Sequence, residues 1–244
     1  MDVLDERCAS ENVYVLPPHR RCACHSLNLI CKCDIFKNMN PSLKNLFDST
    51  DRKLKSTSAK QNRSAKISDN IRKRLGKLFI INNETRWNSY HNAMKRPSTL
   101  SNKNSLSSSE FDGIHVFHPA EEELVRDYVK IMKPMTEALD ILQADVNLSI
   151  GYLLPTLTIL ILKLEKLLDD RTVKHCKSLI RVMISSIKTR FQDCFEDEEL
   201  ILAAILHPNF KNKWISEKDR EAKTRLLMIF TSHTQIPCVV TQAR

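Results

Sequence analysis

One pattern limits this chain more than any other. Along residues 119–230, apolar side chains return every three or four positions. Leu124, Tyr128, Ile131, Met135, Leu139 and Leu142 form one stripe, and Val173, Cys176, Ile180, Met183, Ile187, Phe191 and Phe195 form another. A period near 3.6 residues gathers such positions on one face of a helix, which must be buried against another element. Helices are therefore expected over 119–145, bent at Pro134, then over 148–168, 173–195, 198–207 and 216–230. Pro119 suits a first helical position, and Glu121, Glu122 and Glu123 suit the positive end of the helix dipole. With only three glycines in 244 residues, a sheet-and-turn fold is disfavoured. The expectation for 110–232 is a packed helical bundle.

The first hundred residues read differently. Val13–Leu16 is a candidate short strand ahead of Pro17 and Pro18. His19–His25 reads as a strand entering a helix over Ser26–Asn38, with Ser26 as its N-cap. Ser42–Lys60 reads as an exposed helix whose thin apolar face is Leu43, Leu46, Phe47 and Leu54. Ser64–Arg74 is a short basic helix stopped at Gly76. Lys77–Ile81 is the best strand candidate in the chain. Thr85 starts a helix that ends before Pro97. The polar run 98–109 reads as a linker, and 233–244 as an unstructured tail.

The net charge of +9 is unevenly spread. Residues 41–100 hold fourteen basic and four acidic side chains, while 101–244 hold nineteen and twenty. A local basic block attracts phosphate backbones by counterion release, and it also suits a solvated helix surface. The longest apolar run, Leu148–Leu162, spans about 15 residues where a membrane crossing needs about 20. It reads as a buried helix, so no membrane partner is expected. Eight cysteines, half clustered and half scattered, suit reduced thiols in an intracellular protein, nuclear or cytoplasmic.

Several residues invite chemistry. His19, Cys22, Cys24, His25, Cys31 and Cys33 suggest a zinc site, but structural zinc takes two short-spaced ligand pairs from separate loops. Cys31 and Cys33 lie two apart on a helix and point to different sides. No carboxylate set stands out as catalytic; Glu121–Glu123 and Glu196–Glu199 are explained by helix ends and solvation. No metal, cofactor or small-molecule substrate is expected. Trp87, beside Arg86, either stacks on an unpaired base or anchors a strand–helix junction. In the first case Arg72, Lys73, Arg74, Lys77 and Arg86 would meet phosphates.

Two motifs and their order resemble a known family. The segment Cys22–Leu29, with Cys22, His25, Leu27, Asn28 and Leu29 in place, resembles the Cys-x-x-His-x-Leu-Asn-Leu signature of hAT-superfamily transposases. The segment Thr85–Ser89, reading Thr-Arg-Trp-Asn-Ser, resembles a second conserved segment. Tyr128–Met135, Ala138–Gln143, Gly151–Leu157 and Leu202–Lys211 resemble the family's helical part. The likeness covers roughly residues 13–230 and is nearest to the transposon-derived BED-zinc-finger group of animal genomes.

The resemblance implies an RNase H-like catalytic core interrupted by a helical insertion. It implies that Trp87 supports a flipped base, and that Cys22 and His25 lie near the active site. In the family, both catalytic Asp residues precede the Cys-x-x-His motif and the catalytic Glu follows the insertion. The expectation is that this chain holds none of the three, nor the BED finger or the C-terminal dimerisation region, and is not an enzyme. The expected fold is mostly α: a partial RNase H-like α/β remnant over 1–97, then the bundle. The expected partners are DNA through residues 41–96, or a protein through the bundle.

Overall fold

The computed structural model describes residues 20–80, 90–96, 117–144 and 149–234. Among these residues all regular structure is helical. Helix α1 is continuous from Ala23 to Lys37, with a π-helical stretch at Ile30–Asp34. Helix α2 spans Pro41–Arg63, α3 spans Ala65–Leu75, and a short α4 occupies residues 90–96. Helix α5 (Pro119–Leu142) follows, then a 3-10 turn at Ile150–Tyr152 and α6 (Leu153–Asp169). Helices α7 (Lys177–Arg190), α8 (Gln192–Glu196), α9 (Glu198–Leu206) and α10 (Glu217–Thr234) complete the order.

Local chemistry sets the ends. The Asn40 side chain accepts from the Leu43 N–H at 2.7 Å, and Pro41 supplies a preset first helical φ. Ser64 ends α2 and caps α3 by accepting from the Ile67 N–H at 3.3 Å. Gly76, at φ 71°, adopts the left-handed conformation that stops α3. Glu121 reaches back to the His118 N–H at 2.8 Å and closes the start of α5.

Helix α5 is the centre of the molecule. Leu124, Tyr128, Ile131, Met132, Met135 and Leu139 are all at most 1% exposed. Each such burial contributes about 1.5–3 kcal/mol relative to leaving the side chain in water. Helix α6 packs on α5 and α7, the π-helical stretch of α1 packs on α7, and α2 lies along α5. One core runs from Leu27 to Phe191, so side chains from both sides of the Ser-rich run 98–109 share it. A smaller core joins Leu154 to Leu200, Ile201, Ala204, Ile205, Trp214 and Ile215.

The N-terminal half differs from its sequence reading. Helix α1 begins at Ala23 with Cys22 as its N-cap, and Ser26 is buried in the first turn. No strand occurs at 20–25 or at 77–80, and none occurs among the other described residues, so an α/β arrangement is not seen there. Leu78–Ile80 has the composition of a strand but no neighbouring strand to pair with. Gln61 takes that neighbour's place: its Nε2 donates to the Phe79 carbonyl at 3.1 Å, and its Oε1 accepts from the Phe79 N–H at 2.8 Å. Helix α5 runs unbroken through the buried Pro134. Helix α10 reaches Thr234, two residues into the tail expected from 233. The expected strand at Val13–Leu16 and the linker 98–109 lie outside the described residues, as do Trp87 and Arg86.

Candidate nucleic-acid interface

Residues 41–80 carry eleven basic and three acidic side chains. The fold turns most of the basic ones to solvent. Helix α2 buries Leu43, Phe47, Thr50, Leu54, Thr57 and Gln61 as one stripe. Lys44, Arg52, Lys60 and Arg63 are exposed. Arg52 and Arg63, eleven residues or about three turns apart, stand on the same outer face. Among the described side chains of α3 Ile71 is buried, and Lys66 and Lys73, seven apart, share the outward face. Arg72 and Lys77 are also exposed.

Few cations of this block are ion-paired. Elsewhere several cations meet carboxylates, as Arg20 does with Asp197 and Glu199, Lys130 with Asp170, Lys163 with Glu137, Lys174 with Glu123 and Arg190 with Asp34, while Arg126, Arg171 and Arg181 are exposed with no carboxylate within salt-bridge distance among the described residues. Within residues 41–80, Lys55 pairs with Asp51, and Lys53 reaches Glu121 on α5. Among the described residues, Lys44, Arg52, Lys60, Arg63, Lys66, Arg72, Lys73 and Lys77 have no carboxylate within salt-bridge distance. Such a surface is solvated, and on meeting a nucleic acid it would displace the cations condensed on the phosphate backbone.

The block is held rigidly from behind. Ser49 and Lys53 both bond the Glu121 carboxylate, at 2.8 and 2.6 Å. Phe47 packs edge-on against Phe36 and Tyr128, with ring centroids 5.1 and 5.3 Å apart. Tyr90 of α4 lies 6.2 Å from Tyr128 and donates its hydroxyl to Asp51 at 3.1 Å. Burial, then the nearby Asp51 carboxylate, pushes the Tyr90 phenol well above its usual range, so it remains a donor.

The residues singled out by sequence are distributed as follows. Arg72, Lys73 and Lys77 belong to the exposed face, and Arg74 lies in α3. Lys44, Arg52, Lys60, Arg63 and Lys66 join them. The charge count over 41–100 signalled these, although no local motif marked them. The motif residues serve two purposes. Leu27 is fully buried, Asn28 and Leu29 are half-buried, while Cys22 and His25 face solvent at the start of α1. Among the described residues no three His, Cys, Asp or Glu side chains gather closely enough to hold one metal ion. No helix among them is long and apolar enough to cross a membrane. Comparisons with protein-family models, with curated proteins and with solved structures each gave no match.

Proposed function

We propose that this chain is a non-catalytic part of a hAT-type transposase that holds DNA by its phosphate backbone through the outer faces of α2 and α3. The observation that carries this reading is the set of eight exposed cations that have no carboxylate partner among the described residues, on a surface whose rear is fixed to α5. Phosphate contacts of this kind give affinity and orientation but no sequence readout. On this reading residues 20–80 are the helical part of an RNase H-like core, and Trp87 stacks on an exposed base at a DNA end.

The test is binding of duplex and hairpin-ended DNA at low and moderate salt. Neutralising Arg72, Lys73 and Arg74 together weakens both, and Trp87→Ala weakens the hairpin selectively. Unchanged affinity in the triple variant removes the phosphate-binding role. Metal-dependent cleavage of DNA by the chain alone contradicts the non-catalytic reading.

A second reading has its own observation. Ile141 of α5 and Ile159 of α6, 43% and 44% exposed, line a recess of about 160 Å³ between the two helices. A protein-interaction module would use this apolar face, and its complex would form equally well without DNA.

A further inference from the structure

The start of α1 brings two thiols together. Cys22 is the exposed N-cap, and Cys24 stands two residues on, half-buried in the first turn. Cys24 has a second contact. Its Sγ donates to the carbonyl of Leu142 at 3.3 Å. Leu142 is the last residue of α5, where carbonyls have no intrahelical donor. The thiol therefore caps α5 and ties α1 to it.

We infer that Cys22 and Cys24 form a redox-responsive dithiol, whose oxidation to a disulfide removes the hydrogen on Cys24 and releases α1 from the end of α5. Each step balances with a small-molecule disulfide such as oxidised glutathione as the oxidant. The Cys22 thiolate attacks one sulfur of glutathione disulfide. A Cys22–glutathione mixed disulfide forms and one glutathione thiolate leaves. Cys24 gives its proton to solvent and attacks the Cys22 sulfur. The Cys22–Cys24 bond forms and the second glutathione thiolate leaves. Two protein thiols are oxidised, one glutathione disulfide becomes two glutathiones, and the protons pass through solvent to the leaving thiolates.

Exposure assigns the order of attack. Cys22 meets the oxidant, and Cys24 is shielded. Burial, then the neighbouring Cys22, holds the Cys24 thiol above its ordinary range, so it keeps its proton and its bond to Leu142 until the mixed disulfide is in place. A disulfide between residues two apart closes a small, strained ring, and strained disulfides are readily reduced. The closure is accordingly reversible. Cys31 and Cys176 are buried in the core and take no part.

The experiment equilibrates the full chain in glutathione buffers of increasing oxidation, blocks free thiols by alkylation and maps peptides by mass. The expected product is the peptide holding Cys22 and Cys24, lighter by two hydrogens, with both thiols lost to alkylation and both restored by dithiothreitol. Cys24→Ser, which keeps a hydroxyl donor for Leu142, stops at the glutathione adduct on Cys22. Cys22→Ser retains an alkylatable Cys24. Oxidation of the wild type also speeds amide exchange in the first turn of α1 and at Gln143. Cys24→Ala does the same in reducing buffer. A wild type that stops at the mixed disulfide overturns the dithiol. A disulfide that leaves amide exchange unchanged overturns its coupling to α5.

Discussion

Lys53 on α2 and Glu121 on α5 meet at 2.6 Å, and the glutamate side chain is only 2% exposed. Its carboxylate also accepts from the Ser49 hydroxyl and the His118 N–H, both at 2.8 Å. Burial alone would raise its pKa. The bonds from Lys53, His118 and Ser49 outweigh that and hold it below the ordinary 4.5. Unfolding returns Glu121 to the ordinary value. Its contribution to stability is thus fully present above about pH 4.5 and is lost as pH falls through the lower folded value. Asp34, held down by Arg190, and Asp170, held down by Lys130 and Thr172, act in the same direction. Stability should fall steadily in acid. Glu121→Gln should cost about 2–3 kcal/mol near pH 7, because the half-buried Lys53 loses the charge-assisted bond to this carboxylate. It should also flatten part of the acid loss. Urea denaturation of both proteins across acid and neutral pH measures this, and parallel pH curves would separate Glu121 from the acid sensitivity.

Gln61 is a second polar residue on which the fold depends. It is 4% exposed and satisfies both backbone groups of Phe79, itself 4% exposed. Gln61→Leu keeps the volume but leaves a buried N–H and a buried carbonyl without partners. A loss of about 2–4 kcal/mol follows. Gln61→Glu keeps an acceptor for the Phe79 N–H but sets a carboxylate oxygen against its carbonyl, and should be at least as costly. Denaturant midpoints of the three proteins decide the matter; near-equal values for wild type and Gln61→Leu would mean that water reaches Phe79.

These two residues mark where sequence reading stopped. The stripe Leu124–Leu142 lies within α5, whereas the stripe Val173–Phe195, expected on one helix, is divided: Val173 and Cys176 precede α7, and the helix breaks at Phe191 before α8. The stripe of α2 was legible only in part. Leu43, Phe47 and Leu54 are buried, but Thr50, Thr57 and Gln61 complete the buried face. Polar residues there become compatible with burial only through specific bonds, such as that from Thr50 Oγ1 to the Leu46 carbonyl at 2.7 Å. Leu78–Ile80 has strand composition, and it is buried at Phe79 and half-buried at Leu78 and Ile80. Propensity cannot reveal that its partner is one glutamine side chain rather than a strand. The basic face was visible as a charge count. Which cations lack carboxylates is set by contacts far apart in sequence, such as Arg190 with Asp34, and no local pattern encodes it.

Salt dependence distinguishes a contact face from a general positive field. Each phosphate contact contributes about 0.9 to the slope of log affinity against log salt on duplex DNA. Replacing Arg72 and Lys73 with Gln should lower the slope by up to about 1.8 and weaken binding uniformly across sequences. Lys163→Gln removes one positive charge from α6, where Lys163 pairs with Glu137, and should leave the slope unchanged. Fluorescence anisotropy over a salt series reads both. A slope lowered as much per charge by Lys163→Gln as by the α3 change would assign binding to net charge and not to α2 and α3.

Two glycines should respond in opposite ways to substitution, because different physics requires each. Gly76 sits at φ 71° with nothing within 4 Å of the position a Cβ would take. Its requirement is conformational alone, so Gly76→Ala should cost about 1 kcal/mol. Gly76→Asn should cost less, since asparagine tolerates the left-handed region. Gly151 has no such φ. It packs against α9 so closely that a Cβ would stand 2.5 Å from the Ala203 carbonyl oxygen and 3.1 Å from its carbon. Backbone cannot swing aside like a side-chain end, so Gly151→Ala must push the 3-10 turn away from α9 and should cost about 1–3 kcal/mol. Asparagine there should be worse than alanine. The displacement should also open the ring cluster of Tyr152, His207 and Phe210, whose centroids lie 4.7 to 4.9 Å apart. Denaturant midpoints for the four variants test the ranking: Asn better than Ala at 76, Ala better than Asn at 151. Equal tolerance of alanine and asparagine at 151 would show that α9 is free to move.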